Sequence, residues 1–338
     1  MDLNQENSAN FLLEDEQKSF DPWLLFDESK ILLGDVYWKS PRGKKILMHR
    51  CSSLITSEQR SRINNNRNQF EFTVTVNETF YRHIKNLLAR LASRSHEVHE
   101  RLELQKQSRD EILKTILPCF WFGEEEGELF DVVLAWNEQM NSLPQEIESE
   151  MIEKNESLYK RSMLIGWTLN VYALMLGYSD YFYLKEMYNA IFLMDFSLVQ
   201  KGLSTLDNDK MEKDILNWDS GAHALESLKS VEHLKDQFKY KSLFRMIERH
   251  HEDLHGNGPL KLNRDESLDL ESILGHLNRK FGYSHEPFDQ FQAKGILAEL
   301  MKVEEKGVSI KKRTYFFIES AIKAFAVEDN DYLSVGGL

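Results

Sequence analysis

Hydrophobic and polar positions change their period along this chain. From Ile31 to Val76 the apolar residues come in short runs: Ile31-Leu32-Leu33, Val36-Tyr37-Trp38, Lys45-Ile46-Leu47-Met48, and Phe70 to Val76 with strict alternation of Phe, Val and Thr. Short runs with period 2 predict β-strands. The turn sequence Ser40-Pro41-Arg42-Gly43 lies between the second and third runs, which predicts a hairpin, and the polar, Arg-rich Ser57 to Asn68 supplies a short helix and a loop. Beyond Asn77 the period lengthens. Tyr81 to Leu117 contains no Gly or Pro and places Ile84, Leu87, Leu88, Leu91, Val98 and Leu102 at helical spacing, which predicts one long helix or two in sequence. Pro118 and the acidic Gly123-Glu124-Glu125-Glu126-Gly127 interrupt it. From Glu128 to Glu328 the pattern is helical almost throughout, with starts expected at Asp180, Ser230 and Asp265 to Ser267 and stops at Gly177, Gly256 to Gly258 and Gly282. The expected organisation is a disordered tail over 1–27, a small α/β regulatory module over 28–80, a helical connector over 81–127 and an all-helical domain over 128–338. The connector is also compatible with a homodimer.

Length and composition narrow the function classes. At 338 residues, with 41% hydrophobic and 29% charged residues, the chain is long enough for two folded domains. A formal charge of −13 argues against binding nucleic acid polymers, which need clustered Lys and Arg. A small anion would need a local basic pocket, for which Lys201, Arg245, Arg249, Lys261 and Arg264 are candidates. Cys51 and Cys119 suggest neither a disulfide framework nor a thiolate metal site. The Asn-rich, acidic start from Met1 to Phe20 lacks the features of a secretory signal, so a cytoplasmic location is expected. The longest apolar stretch, Met163 to Tyr178, contains Thr168 and Asn170 and falls short of the roughly 20 residues of a bilayer span. It reads as a buried core helix.

Candidate chemistry concentrates in Arg249-His250-His251-Glu252-Asp253-Leu254-His255-Gly256-Asn257-Gly258-Pro259, where adjacent histidines beside carboxylates lead into a Gly-rich turn. Imidazoles and carboxylates are the usual ligands of Zn, Fe and Mn, whereas the plain alternative is a polar helix end with a Gly cap. His96-Glu97-Val98-His99 has histidines three apart rather than the four a zinc-protease helix needs, so a solvated face is expected. His223, His233, His276 and His285 stand singly among helical residues. No nucleophile elbow, P-loop or dinucleotide fingerprint occurs.

Several registers recur in a fixed order. Arg161 lies sixteen residues before Gly177; Ala190-Ile191-Phe192-Leu193-Met194-Asp195-Phe196-Ser197-Leu198 ends an apolar run; Asn217-Trp218-Asp219-Ser220-Gly221-Ala222 follows; then come the double histidine, the Gly turn and Asn278. This order, from Tyr159 to about Phe281, resembles the HD-GYP family, a helical branch of the HD phosphohydrolases that cleaves cyclic di-GMP with a metal cluster. The resemblance implies that ligand positions fall at Arg161, Met194, Asp195, Asn217, His250, His251 and Asn278. Of these only Asp195, His250 and His251 keep a ligand residue type. The family's Gly-Tyr-Pro loop is represented by Gly256, Asn257, Gly258 and Pro259 without the tyrosine, and Leu198 stands in place of its lysine. Gly34-Asp35-Val36-Tyr37-Trp38 is similar to the small module that precedes some HD-GYP domains.

What the resemblance implies is a mainly α protein with vestigial metal positions, no catalytic residues, no metal and no cofactor. It would act by protein–protein interaction in cyclic di-GMP signalling, with a diguanylate cyclase as a partner class. Two alternatives stay open: a receptor that binds cyclic di-GMP without cleaving it, and an active phosphodiesterase in which His223, His255 or His276 substitute as ligands. A buried Asp195 without metal would be an unpaired charge, so Arg161 is expected to pair with it.

Overall fold

The computed structural model describes residues 21–29, 31–93, 97–123, 129–202, 222–252, 258, 260–261, 269–283, 295–301 and 310–325. The chain is mainly α-helical with a small N-terminal α/β module, and it divides into two compact units, Met1–Thr75 and Val76–Leu338.

In the first unit a three-stranded antiparallel sheet has the order β2-β1-β3, with β1 at Gly34–Lys39, β2 at Lys45–His49 and β3 at Phe70–Val74. β1 and β2 form the expected hairpin, with Trp38 opposite Ile46, and Val36 pairs with Phe72 of β3. Ile31-Leu32-Leu33 does not form a ladder strand. Its side chains are buried, but its backbone is satisfied by the single bridge Ile31↔Leu54 and by loop amides, Ser52 and Thr75 donating to the carbonyls of Leu32 and Leu33. The last residues of the expected tail are ordered instead as helix α1, Pro22–Glu28. Asp21 caps it by accepting from the Trp23 amide, Pro22 opens it, and Phe26 packs edge-on against Phe72 of the sheet. Helix α2, Ser57–Asn64, begins with a capping box between Thr56 and Gln59.

In the second unit the stretch expected as a connector forms two helices, α3 at Glu78–Leu91 and α4 at Val98–Leu117, which pack on each other. α3 buries Tyr81, Ile84, Leu87, Leu88 and Leu91 against α5, Leu129–Met140. Asp131 of α5 accepts from the Asn77 amide at 2.8 Å, tying the start of α3 to that neighbour. Val98 and Leu102, counted with the apolar face in the sequence, are exposed on the first half of α4.

α6, Gln145–Lys154, leads to α7, Glu156–Met175, whose residues from Leu158 onward are buried almost without exception. A helix that is apolar all round belongs in the middle of a fold. α7 packs against α5, α6 and α8, Tyr181–Leu193, and Gly166 admits the Tyr188 ring so closely that an added Cβ would lie 2.8 Å from it. The expected stop at Gly177 (φ +93°) and the start at Asp180, which caps α8 through the Tyr183 amide, are both present. Among the described residues no helix is long and apolar enough to cross a membrane.

Among the described residues six further α-helices follow: α9 at Phe196–Gln200, α10 at Ala222–Val231, α11 at Phe244–Arg249, α12 at Asp269–Phe281, α13 at Ile296–Met301 and α14 at Lys312–Phe325. Ser230, an expected helix start, falls instead near the end of α10, where its hydroxyl donates to Gln200 Oε1. The expected stop after α12 is Gly282, at φ +56°. α12 packs against α7 and α11, and Gly275 brings its backbone against the Glu252 carbonyl, where any Cβ would collide. That contact holds α12 beside the turn that carries His250 and His251. Gly275→Val should therefore destabilise the protein by about 1–3 kcal/mol through overpacking, measured as a lowered urea midpoint with unchanged slope.

Candidate functional site

Four buried side chains converge in the second unit: Asp195, His223, His250 and His251, each offering a ligand atom within 4.8 Å of the others. Asp195 lies in the turn between α8 and α9, His223 in the first turn of α10, and the two histidines directly after α11. Two serines hold the first two elements together. The Ser197 amide donates to Ser227 Oγ at 2.9 Å and the Ser197 hydroxyl donates to the His223 carbonyl at 2.8 Å.

The imidazoles meet through their Nε2 atoms. His223 Nε2 lies 3.2 Å from His250 Nε2 and 2.8 Å from His251 Nε2, while Asp195 Oδ1 lies 3.3 Å from His250 Nε2 and 3.6 Å from His223 Nε2. His250 Nδ1 is 2.7 Å from the Ile247 carbonyl. A carbonyl can only accept, so this nitrogen carries a proton. The turn itself is closed by Glu252, whose Oε1 accepts from the Leu260 amide at 2.7 Å, and Gly258 leaves room for that carboxylate.

Beside the histidines, Arg161 of α7 donates to three acceptors. Its Nη1 donates to Asp195 Oδ2 at 2.7 Å, Nη2 to Asn278 Oδ1 at 2.6 Å and Nε to the Gly282 carbonyl at 2.5 Å. The guanidinium lies 4.0 Å over the Tyr283 ring, and the Tyr283 hydroxyl donates to Asp195 Oδ1 at 3.0 Å. Asn278 bridges the two halves of the site, because its amide nitrogen also donates to the His250 carbonyl at 2.9 Å. An aspartate in its place would accept from Arg161 but could not donate to that carbonyl.

Charge in the cluster is set by burial and by Arg161. Burial alone would raise the Asp195 pKa, but the adjoining guanidinium, with His250 and His223, outweighs it and holds the carboxyl well below the usual carboxylate range. Burial depresses His223 to about 4, with His250 acting in the same direction, and it pushes His251 well below its ordinary value. Tyr283 is raised well above its ordinary value by burial and the Asp195 charge. At neutral pH the set contains an ionised carboxylate, a guanidinium, and neutral imidazoles at His223 and His251.

Of the vestigial positions expected from the sequence, Arg161, Met194, Asp195, His250, His251 and Asn278 are brought together; Met194 is buried with its sulfur 3.9 Å from Asn278 Nδ2. Asn217, His255, Gly256, Asn257 and Pro259 lie outside the described residues. His223 was legible in the sequence as one of three histidines, with His255 and His276, that could substitute as ligands, and its place directly after Gly221-Ala222 was the further signal. His276 faces the Leu300 carbonyl and stands apart from the cluster, and His99 and His233 are exposed. Three of the basic candidates face acids, Lys201 with Glu226 at 2.5 Å, and Arg245 and Arg249 with the buried Glu271 at 3.2 and 3.6 Å; Lys261 is exposed and Arg264 lies outside the described residues.

Imidazoles and a carboxylate are a donor set for a first-row transition metal. The donors present fit one cation and do not fit the two that the HD-GYP resemblance implies: Asp195 Oδ2 is committed to Arg161, and Met194 and Asn278 supply no anionic or imidazole ligand. Removing one partner of the buried ion pair leaves the other uncompensated. Arg161→Met should cost about 3–5 kcal/mol in urea unfolding, and Arg161→Lys should recover only part of it, since an ammonium cannot serve three acceptors in one plane.

No family model and no curated protein matches the chain. Among solved structures, it is similar to Bd1817, an HDG"Y"P protein from Bdellovibrio bacteriovorus, with a TM-score of 0.36 and 15% identity over 88% of this chain and 96% of that one. At that distance the site has to be interpreted from its own geometry.

Proposed function

We propose that the second unit is a non-hydrolysing derivative of an HD-GYP phosphodiesterase, and that the chain acts in cyclic di-GMP signalling in the cytoplasm through protein partners, a diguanylate cyclase being the class the resemblance implies. The observation that supports this most directly is the Arg161 guanidinium seated on Asp195 Oδ2 at 2.7 Å. Metal-assisted phosphodiester hydrolysis needs a cation with an open position to activate water and charge to stabilise the phosphoryl oxygens. Here a fixed organic cation takes one oxygen of the retained aspartate. Leu198, buried and apolar, stands where the family's lysine would be, and Lys201, Arg245 and Arg249 are engaged by glutamates.

The decisive assay incubates the purified chain with cyclic di-GMP and either Mn²⁺ or Fe²⁺ and follows the nucleotides by chromatography. The expected result is no linear dinucleotide and no GMP above a protein-free control. Product that scales with protein and vanishes in Asp195→Asn would overturn the non-hydrolytic assignment. A rise in melting temperature on adding cyclic di-GMP, without product, would replace partner binding by nucleotide reception as the output, because a ligand selective for the folded state stabilises it by mass action.

A further inference from the structure

We infer that Asp195, His223, His250 and His251 hold one divalent transition-metal ion in a closed, structural site, with Arg161 occupying the place of any second cation.

Geometry is the first ground. Four donors about 2.05 Å from a tetrahedral metal lie roughly 3.3 Å from one another. The separations His223–His251, His223–His250, His250–Asp195 and His223–Asp195 are 2.8, 3.2, 3.3 and 3.6 Å, scattered about that value, and the two remaining pairs lie within 4.8 Å. Convergence is the second ground. His223 Nε2 faces both His250 Nε2 and His251 Nε2, and Asp195 Oδ1 faces His250 Nε2 and His223 Nε2, so the four donor atoms meet in one space that a cation would fill.

Saturation of the surrounding groups limits the count to one. Asp195 Oδ2 belongs to Arg161, which leaves Oδ1 as a single ligand atom. A divalent ion beside that guanidinium already leaves the buried set with an excess of positive charge, so a second cation would face strong repulsion in a low-dielectric site. Four protein donors also leave no open position of the kind that catalytic zinc sites retain. The ion would fasten three elements to one another: the α8–α9 turn, the start of α10 and the end of α11. It would thus supply folding free energy, as structural metals do.

This inference goes beyond the non-hydrolytic assignment and shares with it only the role of Arg161. It is tested on the full chain, purified without chelators or affinity-tag metal, by elemental analysis and by titrating chelator-treated protein with Zn²⁺ against a chromogenic indicator. The expected result is one equivalent per chain and, on chelation, a melting temperature lower by about 5 °C or more. His223→Ala should lose the ion, while His233→Ala, at an exposed histidine, should keep it. No metal as isolated together with no zinc uptake by the wild-type chain would overturn the site, as would two equivalents, or unchanged binding in a folded His223→Ala protein. Cyclic di-GMP cleavage is scored separately, so either conclusion can fail without the other.

Discussion

The buried ion pair between Arg161 and Asp195 is the constraint on which the second unit is arranged. The two side chains are 1% and 0% exposed, and taking both charges out of water costs several kcal/mol per ion before their attraction is counted. Such a pair needs further hydrogen bonds to support it, and here Arg161 donates to Asn278 and the Gly282 carbonyl while the Tyr283 hydroxyl donates to Asp195. Because those partners come from α7, the α8–α9 turn, α12 and the residues just after α12, the pair fixes how the central helix sits among its neighbours. The close approaches at Gly166 and Gly275 serve the same arrangement by letting Tyr188 and the Glu252 carbonyl come close to helix backbone.

The histidines show the other half of this balance. Three imidazoles and a carboxylate oxygen face one another at buried positions, while the guanidinium neutralises the carboxylate from its far side. The arginine is a fixed cation built in beside the four donors.

Much of the helical frame was legible residue by residue. Asp180 as a cap, Gly177 and Gly282 as stops, the strand-to-helix change of period near Asn77 and the Ser40–Gly43 hairpin all follow from local preferences, and local preferences survive folding when tertiary contacts agree with them. The failures have equally local causes. Ile31-Leu32-Leu33 has strand composition, but its amides and carbonyls meet loops rather than a neighbouring strand. Pro22–Glu28 follows an acidic, Asn-rich segment and was counted with it, although Trp23, Leu25 and Phe26 give it an apolar side to bury. Val98 and Leu102 share helical spacing with buried residues yet point outward, since periodicity marks a face without saying what covers it.

For the site, the order of residues alone singled out Asp195, His250 and His251 as ligand types, and it foretold that Arg161 must compensate Asp195, because an isolated buried carboxylate is too costly to persist. Only the tertiary structure decided that His223, one solitary histidine among several in the sequence, joins His250 and His251 while His276 does not. Sequence spacing reports which side chains share a face of one helix. Convergence of side chains from the α8–α9 turn, α10 and the end of α11 depends on how those elements pack, and that packing is a property of the whole core rather than of any one segment.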